Sequence, residues 1–462
     1  MLVLLEMTII AQTTFQKTYG SFMPDAGYSV VQTEDSCFVF TGNWCYGGGW
    51  CTNHLFVIKT DVSGNTLWSK FYYNNIGYEG DAGGNSIIET IEHDFVIAGY
   101  TTIYNPSMNI QFYLVKTDSN GDSLWTKYYG EDYYEHAYSV KQTLDGGFIL
   151  SGYTDTIPGL LGTLLLIKTN ASGDSLWGKT YGFGYTRPGV AHSILEINNG
   201  YIILGYTSEA NYSGNNDVYL IRTDIVGDTL WTKTYGGTND DIGYSIQKTP
   251  DNGFIFTGAT FSFGAGGYDV YLIKTDSNGT LLWSKTYGGL DNEYGNFVSN
   301  TSDGGYIITG STESFSTGGG YDVYLIKIDT YGNQQWYKTF GSINNDYGYS
   351  VQQTFDGGYI ICGIRNENIY LIKTDINGNT TNINEIDISK LISKVDIYPN
   401  PTTGLVSIKA ERIKSIEVIN LQGKQIYTGK ENQIDLSTQP KGIYIIKVIT
   451  DKQTITQKLI KQ

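Results

Sequence analysis

The sequence predicts an all-β fold: a seven-bladed β-propeller, with an N-terminal strand closing the last blade, followed by a small immunoglobulin-like β-sandwich. Three observations carry this: a repeat, its strand content and an orphan copy of one strand. Trp68, Trp125, Trp177, Trp231, Trp283 and Trp336 recur every 52 to 57 residues, each opening a W-x-K-x-[YF] run. A second ladder, Lys59, Lys116, Lys168, Arg222, Lys274, Lys327 and Lys373, recurs inside runs such as VYLIKTD and counts seven units.

Each unit holds four strand-like runs, for example GYSIQKT, GFIFTGAT, DVYLIKTD and LLWSKTYGG between 243 and 289. Turns such as Asp303-Gly-Gly305 join the first two, and Asp118-Ser-Asn-Gly-Asp122 joins a third to a fourth, because Gly and Asn tolerate the positive φ of tight hairpins. Four antiparallel strands repeated at this spacing describe propeller blades. The composition agrees, with 57 glycines, 14% aromatic residues and 8 prolines in 462 residues. The seventh unit has no W-x-K strand after Asp375, whereas Phe15 begins an orphan FQKTYG. Pairing that strand with Ile369–Asp375 would cover two open edges, which favours a closed ring over a solenoid of stacked hairpins.

The domain reading is an export signal at 1–11, a propeller at 12–380, a linker at 381–390 and a second domain at 391–462. MLVLLEMTIIA is short, apolar and ends in a small residue, as an export signal does, although Glu6 interrupts it and a basic start is missing, as in a truncated signal. No other segment has the roughly 18 apolar residues of a membrane-spanning helix. The formal charge of −16 divides into +6 from Lys390 onward and −22 before it. An acidic body excludes nucleic acid as the main partner and leaves cations and neutral ligands open.

In this strand order, the blade-to-blade and second-to-third loops share one face and vary freely, which is where binding resides on a repeated scaffold. The candidate ligand residues there are Asp132, Tyr133, Tyr134, Asp240, Asp241, Asp291, Glu293 and Asp346. Aromatic faces beside hydrogen-bonding groups suit sugars, and clustered carboxylates suit Ca²⁺. No other cofactor or metal is expected: the seven Asp-x-x-Gly turns vary too much for calcium loops, Thr280 standing where others have Asp or Asn. They also resemble the Asp-box of sialidase-like propellers with one extra residue per step, but against that family's three substrate-binding arginines this propeller has only Arg187, Arg222 and Arg365, and Arg222 replaces a repeat lysine near the turn face, so sialidase activity is not expected.

His54, His93, His136 and His192 fall at different repeat positions, with no metal-ligand spacing. His192 takes the place of Tyr28, Tyr138, Tyr244 and Tyr349 and reads as a packing substitution. Serines after that position read as architecture rather than nucleophiles. Cys45 and Cys51 share one Gly-rich loop and are expected to form a disulfide in an exported chain.

After Asn379 the repeat ends and short alternating strands begin. Tyr398-Pro399-Asn400-Pro401 with Gly404, then Gly423, then Pro440-Lys-Gly442-Ile-Tyr444, and a closing run around Lys458 follow in order. This segment resembles the type A sorting domain of the type IX secretion system of Bacteroidota. The resemblance implies passage through the periplasm, recognition by the secretion machinery, and release or attachment at the cell surface. The expected function is therefore a non-enzymatic, exported binding or adhesion module for a glycan or protein; a structural matrix protein and a carboxylate-dependent glycoside hydrolase are the alternatives.

Overall fold

The computed structural model describes residues 12–21, 23–46, 52–72, 80–104, 108–130, 134–155, 162–182, 189–208, 215–380, 396–398, 402–410, 412–421, 423–450 and 454–462. Among them there are strands and turns and no helix. The expected export signal and linker lie outside the described residues. The chain divides into two compact units, Met1–Glu385 and Ile386–Gln462.

In the first unit the strands group by fours into antiparallel sheets whose order follows the chain, beginning with Ala26–Gln32, Phe38–Tyr46, Thr52–Thr60 and Thr66–Tyr72. Seven such groups occur among the described residues; two neighbours are joined into one longer sheet by a single parallel bridge, Tyr134 to Ile110. The last group is completed from the other end of the unit. Phe15–Tyr19 pairs antiparallel with Asn368–Thr374, from Phe15 opposite Lys373 to Tyr19 opposite Ile369. Successive first strands pack side by side, and Ala26–Gln32 touches both Ala82–Glu89 and Asp346–Gln353, so the propeller-like circuit is continuous. The core lies between neighbouring sheets: Val39, Leu55 and Val57 of one meet Ile87, Phe95 and Ile97 of the next, all buried.

The two sequence ladders meet in space. Each W-x-K-x-Y strand faces the Asp-x-x-Gly turn of the following sheet. The tyrosine hydroxyls of Tyr19, Tyr72, Tyr129, Tyr181, Tyr235 and Tyr287 donate to the carbonyls of Gly64, Gly121, Gly173, Gly227, Gly279 and Gly332 at 2.5–2.7 Å. Lys70 and Lys127 pair with Asp122 and Asp174 at 2.7 and 2.9 Å. The indole of Trp68 lies so close that a Cβ on Gly121 would come within 2.8 Å of it, and Gly121 has φ of +77°, so two constraints require glycine there. The leading aspartates act as turn acceptors: Asp61 Oδ1 accepts from the amides of Ser63 and Asn65 at 2.9 and 2.8 Å.

The second lysine ladder works within a sheet. Lys168, Lys274, Lys327 and Lys373 are buried and reach Asp145, Asp251, Asp303 and Asp356 of the first turn at 2.7–2.9 Å. In the fourth sheet that turn, Asn198-Asn199-Gly200, has no carboxylate. Arg222 stands there instead and donates to the carbonyls of Asn198 and Asn199 at 3.0 and 3.2 Å.

The second unit contains a three-stranded sheet, Asp396–Tyr398, Leu405–Lys409 and Gln433–Asp435, and a four-stranded one built on Ile413–Asn420 and Gly442–Thr450. Val406, Ile408, Ile434 and Leu436 of the first share one core with Ile416, Val418, Ile446 and Val448 of the second. Period-2 alternation along Gly442–Thr450 explains this, since it directs every second side chain inward.

Candidate functional site

The predicted acidic face is largely not a surface. Asp241, Glu293 and Asp346 each open a first strand, and all three are fully buried. Asp241 Oδ2 accepts from the amide of Gly237 and the hydroxyl of Ser262, both at 2.7 Å. Glu293 accepts from the amides of Gly289 and Ser314 and from Thr312 Oγ1, at 2.7–2.9 Å. Asp346 Oδ1 accepts from the amide of Asn366 at 3.1 Å; burial pushes its carboxyl up, against hydrogen bonds from Ser342. The expectation that these residues present ligand-binding carboxylates to solvent is thus corrected, because loop amides enclose them and tie two loops to each strand start.

Asp240 is partly buried, its Oδ1 accepting from the amide of Asn216 at 2.7 Å and its Oδ2 from the hydroxyl of Tyr268 at 3.3 Å. Asp291 is exposed and Tyr134 partly buried. Asp132 and Tyr133 lie outside the described residues. No group of three or more His, Cys, Asp or Glu side chains suited to a metal occurs among the described residues.

What the loops do bring together is aromatic. Phe261, Tyr268, Tyr294, Tyr321, Tyr347, Tyr349 and Tyr28 form a continuous chain of ring contacts, with centroids 5.1–6.2 Å apart, crossing from the fifth sheet to the first. At its end lies a cavity of about 920 Å³ lined by Tyr28, Tyr347, Asn43, Asn53, Asn345 and Asn366 among others. Its lining includes the Asn366-Glu367 turn, both residues at positive φ, whose Glu367 carbonyl accepts from the amide of Asp25 at 2.7 Å. Asn43 Oδ1 is buried without a hydrogen-bond partner among the described residues.

Tyr28 also lines a second cavity, the axial channel, of about 670 Å³. Each first strand carries a β-bulge at one residue: Tyr28, Asn85, Tyr138, His192, Tyr244, Asn296 and Tyr349. All seven line the channel. A bulge re-aims its side chain, and here it turns one residue per blade inward. The following serines stitch the strands together: Ser29, Ser86, Ser193, Ser245 and Ser350 accept from amides of the next first strand at 3.2–3.4 Å. His192 packs against Tyr138, Tyr206 and Tyr244, and loss of water around its imidazole lowers its pKa to about 4. The channel ring went unrecognised as a site from sequence; its signal is the Gly/Ala-x-Ser triplet, whose middle residue is the bulge, with Phe297 in place of the serine in the sixth sheet.

Cys45 is held in a disulfide, while Cys37 and Cys362 are free thiols; Cys51, its expected partner, lies outside the described residues. In the second unit Pro399, Asn400 and Pro401 also lie outside them. Tyr398 ends a strand, Gly404 approaches Ser437 too closely for a side chain, Gly423 has φ of +78°, and Gly442 and Lys458 sit in paired strands. The hydroxyl of the buried Tyr444 donates to the carbonyl of Pro440 at 2.7 Å.

A curated relative, the regulatory protein FlaEY of Caulobacter vibrioides, is 22% identical over 251 residues, 47% of this chain and 26% of that protein. The chain thus spans about a quarter of that relative's length. Among solved structures, PorZ, a surface component of the type-IX secretion system of Porphyromonas gingivalis, shares 10% identity and a TM-score of 0.35, over 92% of this chain and 68% of its own. An α-L-arabinanase of Penicillium chrysogenum shares 11% identity and a TM-score of 0.42, over 79% and 98%. Residues 396–462 match the family described as a secretion system C-terminal sorting domain. The chain carries a sorting domain of the type IX secretion system at its C-terminal end, and with it the signal for export to the cell surface or beyond.

Proposed function

We propose that Met1–Glu385 is a seven-bladed β-propeller and that, once exported, it acts as a non-catalytic binding module for a neutral glycan. The observation that carries this reading is the loop-face cavity of about 920 Å³, a size suited to small ligands, in which aromatic faces of Tyr28 and Tyr347 stand among the side-chain amides of Asn43, Asn345 and Asn366. Flat rings cover the apolar faces of sugar rings, and amides both donate to and accept from hydroxyls. The carboxylates of Asp241, Glu293 and Asp346 are already enclosed by amides, which argues against a paired-acid hydrolase built on them.

The test is calorimetric titration of the full chain with a panel of neutral oligosaccharides, repeated with Tyr347→Ala and Asn345→Ala. Saturable binding that weakens at least about tenfold in both variants supports the reading. A folded chain that binds none of the panel, or binds equally well in both variants, rejects it.

A further inference from the structure

The axial channel contains one formal cation and no carboxylate among the described residues that line it. That cation is Lys141, three residues beyond the bulge at Tyr138. The equivalent positions in the other blades are Val31, Ile88, Leu195, Gln247, Ser299 and Gln352, so Lys141 stands between apolar Ile88 and Leu195 on the two neighbouring strands. Repeat lysines elsewhere meet a polar side chain: Lys168 and Lys70 reach the carboxylates of Asp145 and Asp122, and Lys17 and Lys338 the amide oxygens of Asn65 and Asn379. Lys141 makes no hydrogen bond or ion pair with its side chain among the described residues.

The acids one layer further along are engaged elsewhere. Glu196 accepts from the amide of Leu144 at 2.9 Å and Glu89 from that of Glu34 at 3.2 Å. Burial accordingly depresses the Lys141 ammonium, with no neighbouring charge to offset it. A half-buried cation without a counter-charge is stabilised when something anionic joins it. The rest of the wall is rich in hydroxyls and amides: Tyr28, Tyr244, Tyr349, Asn85 and Asn296 point at the same space.

We infer that the axial channel is a second binding site, selective for a carboxylate-bearing sugar whose carboxylate pairs with Lys141 and whose hydroxyls meet the ring of bulged tyrosines and asparagines. This rests on reading the propeller as a binding module. It differs from the loop-face site, where Asp25 and Glu367 stand among the amides and aromatic rings and, among the described residues, no cation lines the cavity.

Calorimetric titration of the full chain with galacturonate and, separately, galactose tests it, using the native chain, Lys141→Met and Tyr347→Ala. The expected result is saturable galacturonate binding by the native chain, weakened at least about tenfold in Lys141→Met and unchanged in Tyr347→Ala. Without ligand, Lys141→Met should raise the thermal midpoint, since it removes a half-buried unpaired charge from the channel wall. Galacturonate binding that is equal to galactose binding, unchanged in Lys141→Met, or absent overturns the inference. A chain that binds its neutral glycan at the loop face while failing these tests leaves the binding module standing; loss of both rejects both.

Discussion

The hydroxyl of Tyr287 donates to the carbonyl of Gly332 at 2.7 Å across the boundary between two blades. The same contact recurs at five other boundaries, while the seventh has Phe340 where the tyrosine would be. Tyr287→Phe leaves a buried carbonyl without its donor and should cost about 1–2 kcal/mol. Phe340→Tyr should gain up to about 1 kcal/mol by supplying the missing donor to Gly378. Urea midpoints of the two variants check both signs; equal shifts in the same direction would contradict the staple.

Closing the ring with Phe15–Tyr19 protects the strand Asn368–Thr374 from exposure. Removal of residues 12–20 should therefore leave an apolar edge, with Ile369, Leu371 and the buried Lys373 bared, and produce self-association. Sedimentation of the shortened chain measures this. A stable monomer with an unchanged melting temperature would show that the edge is covered some other way.

Acid should destabilise the propeller in two separable steps. His136 and His192 are half-buried among aromatic rings, and loss of water lowers both pKa values from 6.5 to about 4. Unfolded, each binds a proton below about 6.5, while folded each stays neutral down to about 4, so stability falls as pH drops through that window. The loss is on the order of 1–3 kcal/mol for each histidine. His192→Tyr, which restores the residue most blades carry, should flatten the slope between pH 6.5 and 4.

The second step lies lower. Partial burial pushes the carboxyls of Asp145, Asp251 and Asp303 up, but the ammonium groups of Lys168, Lys274 and Lys327 and adjacent threonine hydroxyls outweigh it and hold them at about 2. These depressed values contribute stability above the unfolded pKa near 3.9 that is lost as pH falls toward 2. Each carboxylate is more than half exposed, which limits the contribution to no more than about 1 kcal/mol per pair. Asp251→Asn should remove its share of the dependence between pH 4 and 2 without altering the histidine step, as thermal melts across that range would show.

Much of this architecture was legible because both ladders recur in register. The W-x-K-x-Y and Asp-x-x-Gly motifs are two halves of one contact between neighbouring sheets, so their joint periodicity carried the four-stranded grouping and the pairing of Phe15–Tyr19 with Asn368–Thr374. Arg222 was visible as a departure but not its cause, since the missing carboxylate lies 24 residues away in Asn198-Asn199. The acids were misread for a physical reason: Asp241, Glu293 and Asp346 sit where a loop enters a strand, and only the folded loop supplies the amides that enclose them. Lys141 was hidden because a lysine in a strand normally points to solvent; it is the bulge at Tyr138, with the closed ring, that places it on a channel wall.

The most direct test of the central claim is a crystal structure of the full chain soaked with whichever neutral oligosaccharide stabilises it most. The account predicts a sugar ring against Tyr28 or Tyr347, with Asn345 or Asn366 on its hydroxyls. A ligand seated on the hairpin-turn face, away from that cavity, would contradict it.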